Sequence, residues 1–242
     1  VIQGVQQKNI ILRRGDKLPD LSTYESLVLD TETSGVSPHH GDRACGIVIG
    51  PGSAPVGYYI PIRHSDGNLL KEDVFEWLQN FMDDPNKLWI FHNAKFDLNM
   101  LRADGIECHG RIMDTMLAAH VFNGNDLSYS LDALTAKYVP GFKHEQYQVL
   151  CEYIKKTQGI NIAAKKTADS ISANYSLVPV DILGPYALED LSATRLLLGA
   201  LNKLPLLKAP DNYGQTSWGT RALMNNEMKL CRVVADIENT GI

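Results

Sequence analysis

Cysteine is scarce in this 242-residue chain, and its four copies, Cys45, Cys108, Cys151 and Cys231, form no Cys-x-x-Cys pair. That excludes a zinc knuckle and a disulfide framework, and it points to a reducing, intracellular setting. Long apolar runs are also missing. Leu196–Leu198 with its neighbours falls far short of the ~18 residues a membrane span needs. The opening Val1-Ile2-Gln3, followed by Lys8 and Arg13-Arg14, has no apolar stretch with a small-residue cleavage site, so no secretory leader is read and no membrane partner is expected. Positive charge is in deficit, with 23 Lys and Arg against 28 Asp and Glu and a net charge of −5. This argues against a general electrostatic clamp on nucleic acid. It leaves room for an enzyme that gathers carboxylates and lets bound cations reverse the local sign. A Gly-x-Gly-x-x-Gly or P-loop pattern is absent, which counts against a small-molecule α/β enzyme. No internal repeat or low-complexity segment occurs. The first residue is Val rather than Met, and the chain stops at Gly241-Ile242 just after a helical pattern, so a segment of a longer protein is expected.

What is present is 44% hydrophobic and 21% charged residues, an ordinary balance that builds a core and excludes disorder. The first 25 residues are mixed and read as peripheral. Ser26-Leu27-Val28-Leu29-Asp30, Gly46–Gly50 and Gly57–Ile62 read as three strands of an antiparallel meander, bracketed by Pro51-Gly52 and Ser65-Asp66-Gly67. The period then changes. Val74, Phe75, Leu78, Phe81 and Met82 follow helical spacing up to Asp83-Asp84-Pro85. A short strand Leu88–Phe91 precedes a helix from Asn93 to Leu101. Further helices are read over Met116–Phe122, capped by Asp114-Thr115, and over Ser130–Tyr138. Residues 155–178, polar and rich in Lys and Ser, read as a connection. Helical character returns at Pro179, and Gly184-Pro185 is expected to kink that helix or restart it, carrying it to about Leu204. After a loop over Leu207–Trp218, residues 222–238 read as a last amphipathic helix. The fold class is α/β, a mixed sheet flanked by helices with a helical C-terminal extension.

Three motifs carry chemistry. Asp30-Thr31-Glu32 ends a buried strand, and strand alternation sends Asp30 and Glu32 to one face with Thr31 opposite. Neighbouring carboxylates repel unless something positive lies between them, and a hard divalent cation is the natural partner. The same tripeptide also fits surface acids in a turn. Asn93-Ala94-Lys95-Phe96-Asp97 places Asn93 and Asp97 one helical turn apart; the alternative is capping by Asn93 beside a solvated Asp97. Tyr186 and Asp190 share a helix face at i and i+4, or else form a core contact beside an exposed acid.

In combination, Asp-x-Glu, Asn-x-x-x-Asp and Tyr-x-x-x-Asp, on strand, helix and helix, resemble the DEDD superfamily of 3′–5′ exonucleases. One branch of that superfamily has histidine five positions before the last acid, where this chain has Pro185. The other has tyrosine four positions before it, where this chain has Tyr186. Asp30–Thr33, Tyr59–His64, Asp114–Ala118 and Ser130–Leu134 are similar to the proofreading domain of family A DNA polymerases, the polymerase I type of bacteria and phages. Asn226–Ile242 resembles the segment that opens their polymerase domain. The resemblance spans roughly residues 20–242, with residues 141–178 unmatched.

It implies a ribonuclease H-like fold. The exonuclease domain would occupy residues 1–205, and residues 206–242 would form a linker and first helix leading toward a polymerase domain. It further implies proofreading hydrolysis of a DNA 3′ end with two divalent cations, Mg2+ or Mn2+, in the cytoplasm of a bacterial or phage-infected cell. By resemblance, Asp30 bridges both cations, Glu32 and Asp190 complete the tighter position, Asp97 holds the second mainly through water, and Tyr186 hydrogen-bonds the attacking water. Thr31, Thr33, Val36, Asn93 and Phe96 are the implied substrate contacts, with Val36 either against the terminal base or an ordinary loop valine. Lys95 either meets a phosphate or is solvated. His64 and Asp114 are assigned structural roles. His39, His40, His92, His109, His120 and His144 receive none. An exoribonuclease using the same acids and a catalytically silent module of a polymerase are the alternatives.

Overall fold

The computed structural model describes residues 7–162, 173–204 and 217–240. Six strands form one sheet in the order β1-β4-β3-β2-β5-β6: β1 (Lys8–Ile11), β2 (Ser26–Thr33), β3 (Ala44–Pro51), β4 (Val56–Pro61), β5 (Leu88–Phe91) and β6 (Arg111–Asp114). The expected meander is present, since β2 and β3, and β3 and β4, pair antiparallel. β5 and β6 add in parallel beside β2, and β1 pairs parallel to β4 at the opposite edge. The reading of residues 1–25 as peripheral is therefore corrected. Lys8–Ile11 is a strand whose burial does not alternate, so its sequence lacks the period-2 signal. Leu12 and Leu21 beyond it are buried.

Strand alternation divides the core. Leu27, Leu29, Ile47 and Ile49 face α1 (Lys71–Met82), α2 (Ala94–Arg102) and the last helix, α7 (Ser217–Asn239). Val28, Cys45, Val48 and Tyr59 face α5 (Glu145–Gln158) and α6 (Val180–Leu201). Burying each large aliphatic side chain contributes about 1.5–3 kcal/mol. A third cluster joins α3 (Thr115–Phe122), α4 (Leu131–Tyr138), α6 and α7 through Ala119, Leu134, Leu197 and Met228.

Two helical readings change. α6 is continuous from Val180 and carries Pro185 inside it, so the helix neither stops nor restarts there. Proline removes one hydrogen bond, but Val180, Leu183 and Gly184 are buried, and a Cβ on Gly184 would lie 2.9 Å from Ile11 Cδ1. Tertiary contact holds the turn that local propensity would release. α5, anchored by buried Leu150 and Ile154, runs into the stretch read as a connection as far as Gln158, and residues 163–172 of that stretch lie outside the described residues. The loop read over 207–218 falls mostly outside the described residues.

Candidate active site

β2 outruns its parallel neighbour. Its last partner on β5 is Val28, opposite Ile90, while pairing with β3 continues to Thr33. Asp30, Thr31 and Glu32 thus occupy a stretch open on one side, at the carboxyl ends of β2, β5 and β6, where open α/β sheets bind ligands. Glu32 stands opposite Gly46; a Cβ there would lie 2.1 Å from the Tyr59 hydroxyl, so only glycine fits.

The space beside β2 is filled by the start of α2. Asn93 adopts φ 72°, the one positive φ at a non-glycine residue among those described, a conformation asparagine tolerates better than most. The resulting sharp turn is tied down by Asp114, whose carboxylate accepts from Asn93 N (3.1 Å) and Ala94 N (2.8 Å). The same carboxylate accepts from Met116 N at 2.8 Å, capping α3. Asn93 makes no side-chain capping bond, so the capping alternative is excluded and its side chain is left for another use. Asp97 is only 1% exposed, not solvated. Its Oδ1 accepts from Thr31 N (3.0 Å) and Thr31 Oγ1 (2.7 Å). Thr31 points away from Asp30 and Glu32, as strand alternation requires, so Asp97 comes round the sheet end from the other face.

α6 supplies the remaining groups. Leu183, Ala187, Leu188 and Leu191 are buried, which presents Tyr186 and Asp190 along one flank of the apolar face. The Tyr186 ring lies between Tyr147 (6.1 Å between centroids) and Tyr175 (6.4 Å).

The acids are close enough to oppose one another's ionisation. Burial and then the Asp190 carboxylate push Asp30 up to about 7. Glu32 is raised well above the usual carboxylate range by burial and then by Asp30, Asp190 and Asp97. Asp97 is raised by burial and Asp30 despite the two bonds from Thr31. Tyr186 is pushed up by burial, then by Asp190 and Glu32, so its phenol keeps its proton. Among the described residues, no three of these groups close into a cage as they stand. The donor set is nonetheless all carboxylate oxygen, with Glu32 and Asp97 buried and no salt bridge to Asp30, Glu32 or Asp97 among the described residues, a set that suits a hard divalent cation.

Val36, Asn93 and Phe96 meet around one cavity of about 490 Å³, with Lys95, Asn99 and Glu238 also in its wall. Lys95 is partly exposed but paired: its Nζ lies 2.7 Å from Glu238 Oε1 on α7. Thr33 Oγ1 donates to Gly35 O at 2.6 Å and shapes the loop before Val36. His64 is structural, its Nδ1 donating to Val178 O (2.9 Å) and its Nε2 accepting from Tyr59 (2.8 Å).

The model of the 3′–5′ exonuclease family matches residues 16–204. The chain belongs to the 3′–5′ exonuclease domain family of DNA polymerase I-type enzymes. Relatives of this exonuclease domain include DNA polymerase I of Pseudomonas aeruginosa, 27% identical over 93% of this chain and 22% of that one. DNA polymerase DpoZ of Salmonella phage PMBT28 is 28% identical over 71% of this chain and 25% of that one. The chain thus spans about a quarter of the length of the curated relatives it matches. Among solved structures, Brucella melitensis NrnC aligns with a TM-score of 0.63 at 18% identity, covering 97% of this chain and 94% of that one. The ribonuclease H-like α/β fold is the one expected.

Sequence reading missed three features of the candidate site. Thr31 as the anchor of Asp97 was hidden because its partner lies 66 residues away. Glu189, next to Asp190, accepts from Glu145 N and Gln146 N at the start of α5. His144 approaches Asp190 from a stretch that matched no motif.

Proposed function

We propose that this domain hydrolyses the terminal phosphodiester at a DNA 3′ end, releasing a nucleoside monophosphate and leaving a 3′ hydroxyl, in the service of proofreading. The observation that carries the reading is the convergence of Asp30, Glu32, Asp97 and Asp190, whose mutual repulsion and burial raise the first three. Asp30, Glu32, Asp97 and Asp190 would hold the divalent cations, Mg2+ or Mn2+. When bound, such cations supply an activated water and stabilise the leaving oxygen. NrnC, the fold neighbour, has a structure described with bound Mg2+.

The side chains do the rest. Tyr186 holds its proton and acts as a donor that orients the attacking oxygen, not as a base. Thr31 fixes Asp97 through two hydrogen bonds to its Oδ1. Val36, Asn93 and Phe96 receive the terminal nucleotide in the cavity they share. Residues 206–242 lead toward a polymerase domain in a longer protein, whose site of action is the cytoplasm of a bacterial or phage-infected cell.

A strand of single-stranded DNA labelled at its 5′ end gives the test. A ladder shortening from the 3′ end with Mg2+ or Mn2+, and abolished by excess chelator, is expected. Hydrolysis that persists in chelator would overturn the metal-dependent reading. Faster cleavage of a matched RNA strand would favour the exoribonuclease alternative.

A further inference from the structure

His144 belongs to no recognised motif, yet it is the most constrained side chain around Asp190. The first two N–H groups of α5 donate to the Glu189 carboxylate at 2.9 and 3.0 Å, fixing the residue before them to the turn of α6 that bears Asp190. The His144 ring is then held from three directions. Phe142 meets it edge-on at 4.9 Å between centroids. Thr135 Oγ1 lies 2.9 Å from Nε2 and 2.7 Å from Leu131 O. Nδ1, buried and without a hydrogen-bond partner among the described residues, faces two carboxylates, Asp132 Oδ1 at 3.2 Å and, beyond hydrogen-bond distance, Asp190 Oδ1 at 3.6 Å. The imidazole is 14% exposed. A ring pinned on one nitrogen leaves the other, unpartnered, aimed at the Asp190 carboxylate and a small rotation away from bonding it, the place that outer partners of ligating groups take.

We infer that His144 is a positioning residue for Asp190, orienting its carboxylate toward the point shared with Asp30 and Glu32, with Thr135 and Asp132 setting the ring. The inference rests on the reading of Asp190 as a cation ligand. It gives the α4–α5 connection, unmatched in sequence, a task at the site.

Binding of Mn2+ alone, followed by the electron paramagnetic resonance signal of the free ion, tests this on the full chain. Four proteins are compared: the parent, His144→Ala, His144→Asn and Asp190→Asn, each checked for folding by thermal melting. His144→Ala is expected to weaken Mn2+ binding by about 10–100-fold. Its hydrolysis of a short DNA strand should lose kcat at low Mn2+, recover at high Mn2+, and keep its KM for DNA. His144→Asn places an amide N–H near the position of Nδ1 and should restore most of the binding, which a merely structural role would not produce. Parent-like Mn2+ binding by His144→Ala, beside weakened binding by Asp190→Asn, would overturn the positioning role alone. Equal defects in His144→Ala and His144→Asn would overturn it too. Parent-like binding by Asp190→Asn would instead remove the reading on which it rests.

Discussion

Asp30 carries the strongest consequence at the scale of a single residue, because its pKa of about 7 lies above the ordinary 3.8. An acid raised by folding keeps its proton in the native state after the unfolded chain has lost it. Stability is therefore lost as pH climbs from 3.8 to about 7 and stays reduced above that. Glu32 and Asp97 act with the same sign. In chelator, the melting temperature should fall across this window, and Asp30→Ala should flatten the fall while reducing hydrolysis by several orders of magnitude. Excess Mg2+ should restore stability near neutral pH, since a ligand of the native state alone stabilises it. A melting temperature that rises with pH in chelator would contradict the shared repulsion. Tyr186 and Asp190 differ in kind. Tyr186→Phe deletes one hydrogen bond, with an expected loss of about 10–100-fold in rate, roughly 1.4–2.7 kcal/mol of barrier. Asp190→Asn removes a charge and should lose more, partly recovered by raised Mn2+; single-turnover rates against Mn2+ concentration separate the two.

At the scale of elements, the β5–α2 turn decides where Asp97 lies. Asp114 serves two helix starts at once, accepting from Asn93, Ala94, Met116 and Leu117. Its removal strands several donors in a site only 1% exposed. Asp114→Ala should therefore destabilise the chain by about 2–4 kcal/mol in urea unfolding, with or without metal. Asp114→Asn, which keeps one oxygen acceptor, should cost less. The cap itself was legible from Asp114-Thr115 ahead of an apolar run. The second duty, across 20 residues to Ala94, was not, because no local pattern encodes it. α6 shows the opposite limit. Gly184-Pro185 is a strong local break signal, and it was outweighed by burial of Val180 and Leu183 against the sheet.

For the molecule as a whole, α7 closes on the cavity shared by Val36, Asn93 and Phe96. Glu238 binds Lys95 at 2.7 Å and Asn99 at 3.2 Å, so a helix assigned by resemblance to the polymerase side contributes to that cavity. Both members of the Lys95–Glu238 pair are about 40% exposed, and such a pair is worth roughly 0.2–1 kcal/mol. Glu238→Gln should free Lys95 for phosphate and lower the KM for a DNA strand by about 2–5-fold at low salt, with little change in kcat or melting temperature. The gain should shrink as salt rises. A KM that is unchanged or higher would mean that Lys95 does not meet the substrate.

Local periods made much of this protein readable in advance. Strand alternation placed Asp30 and Glu32 on one face, the i, i+4 spacing paired Tyr186 with Asp190, and the apolar runs located the meander. Each of these depends only on backbone geometry within a few residues. Tertiary structure alone decided which of those groups meet. Asp97 reaches Thr31 across 66 positions, His144 approaches Asp190 from the residue before α5, and β1 exists because β4 offers it an edge. The physical reason is common to all three. Burial strips these polar groups of water, and the partner that compensates each one is chosen by where the chain returns, not by its neighbours in sequence.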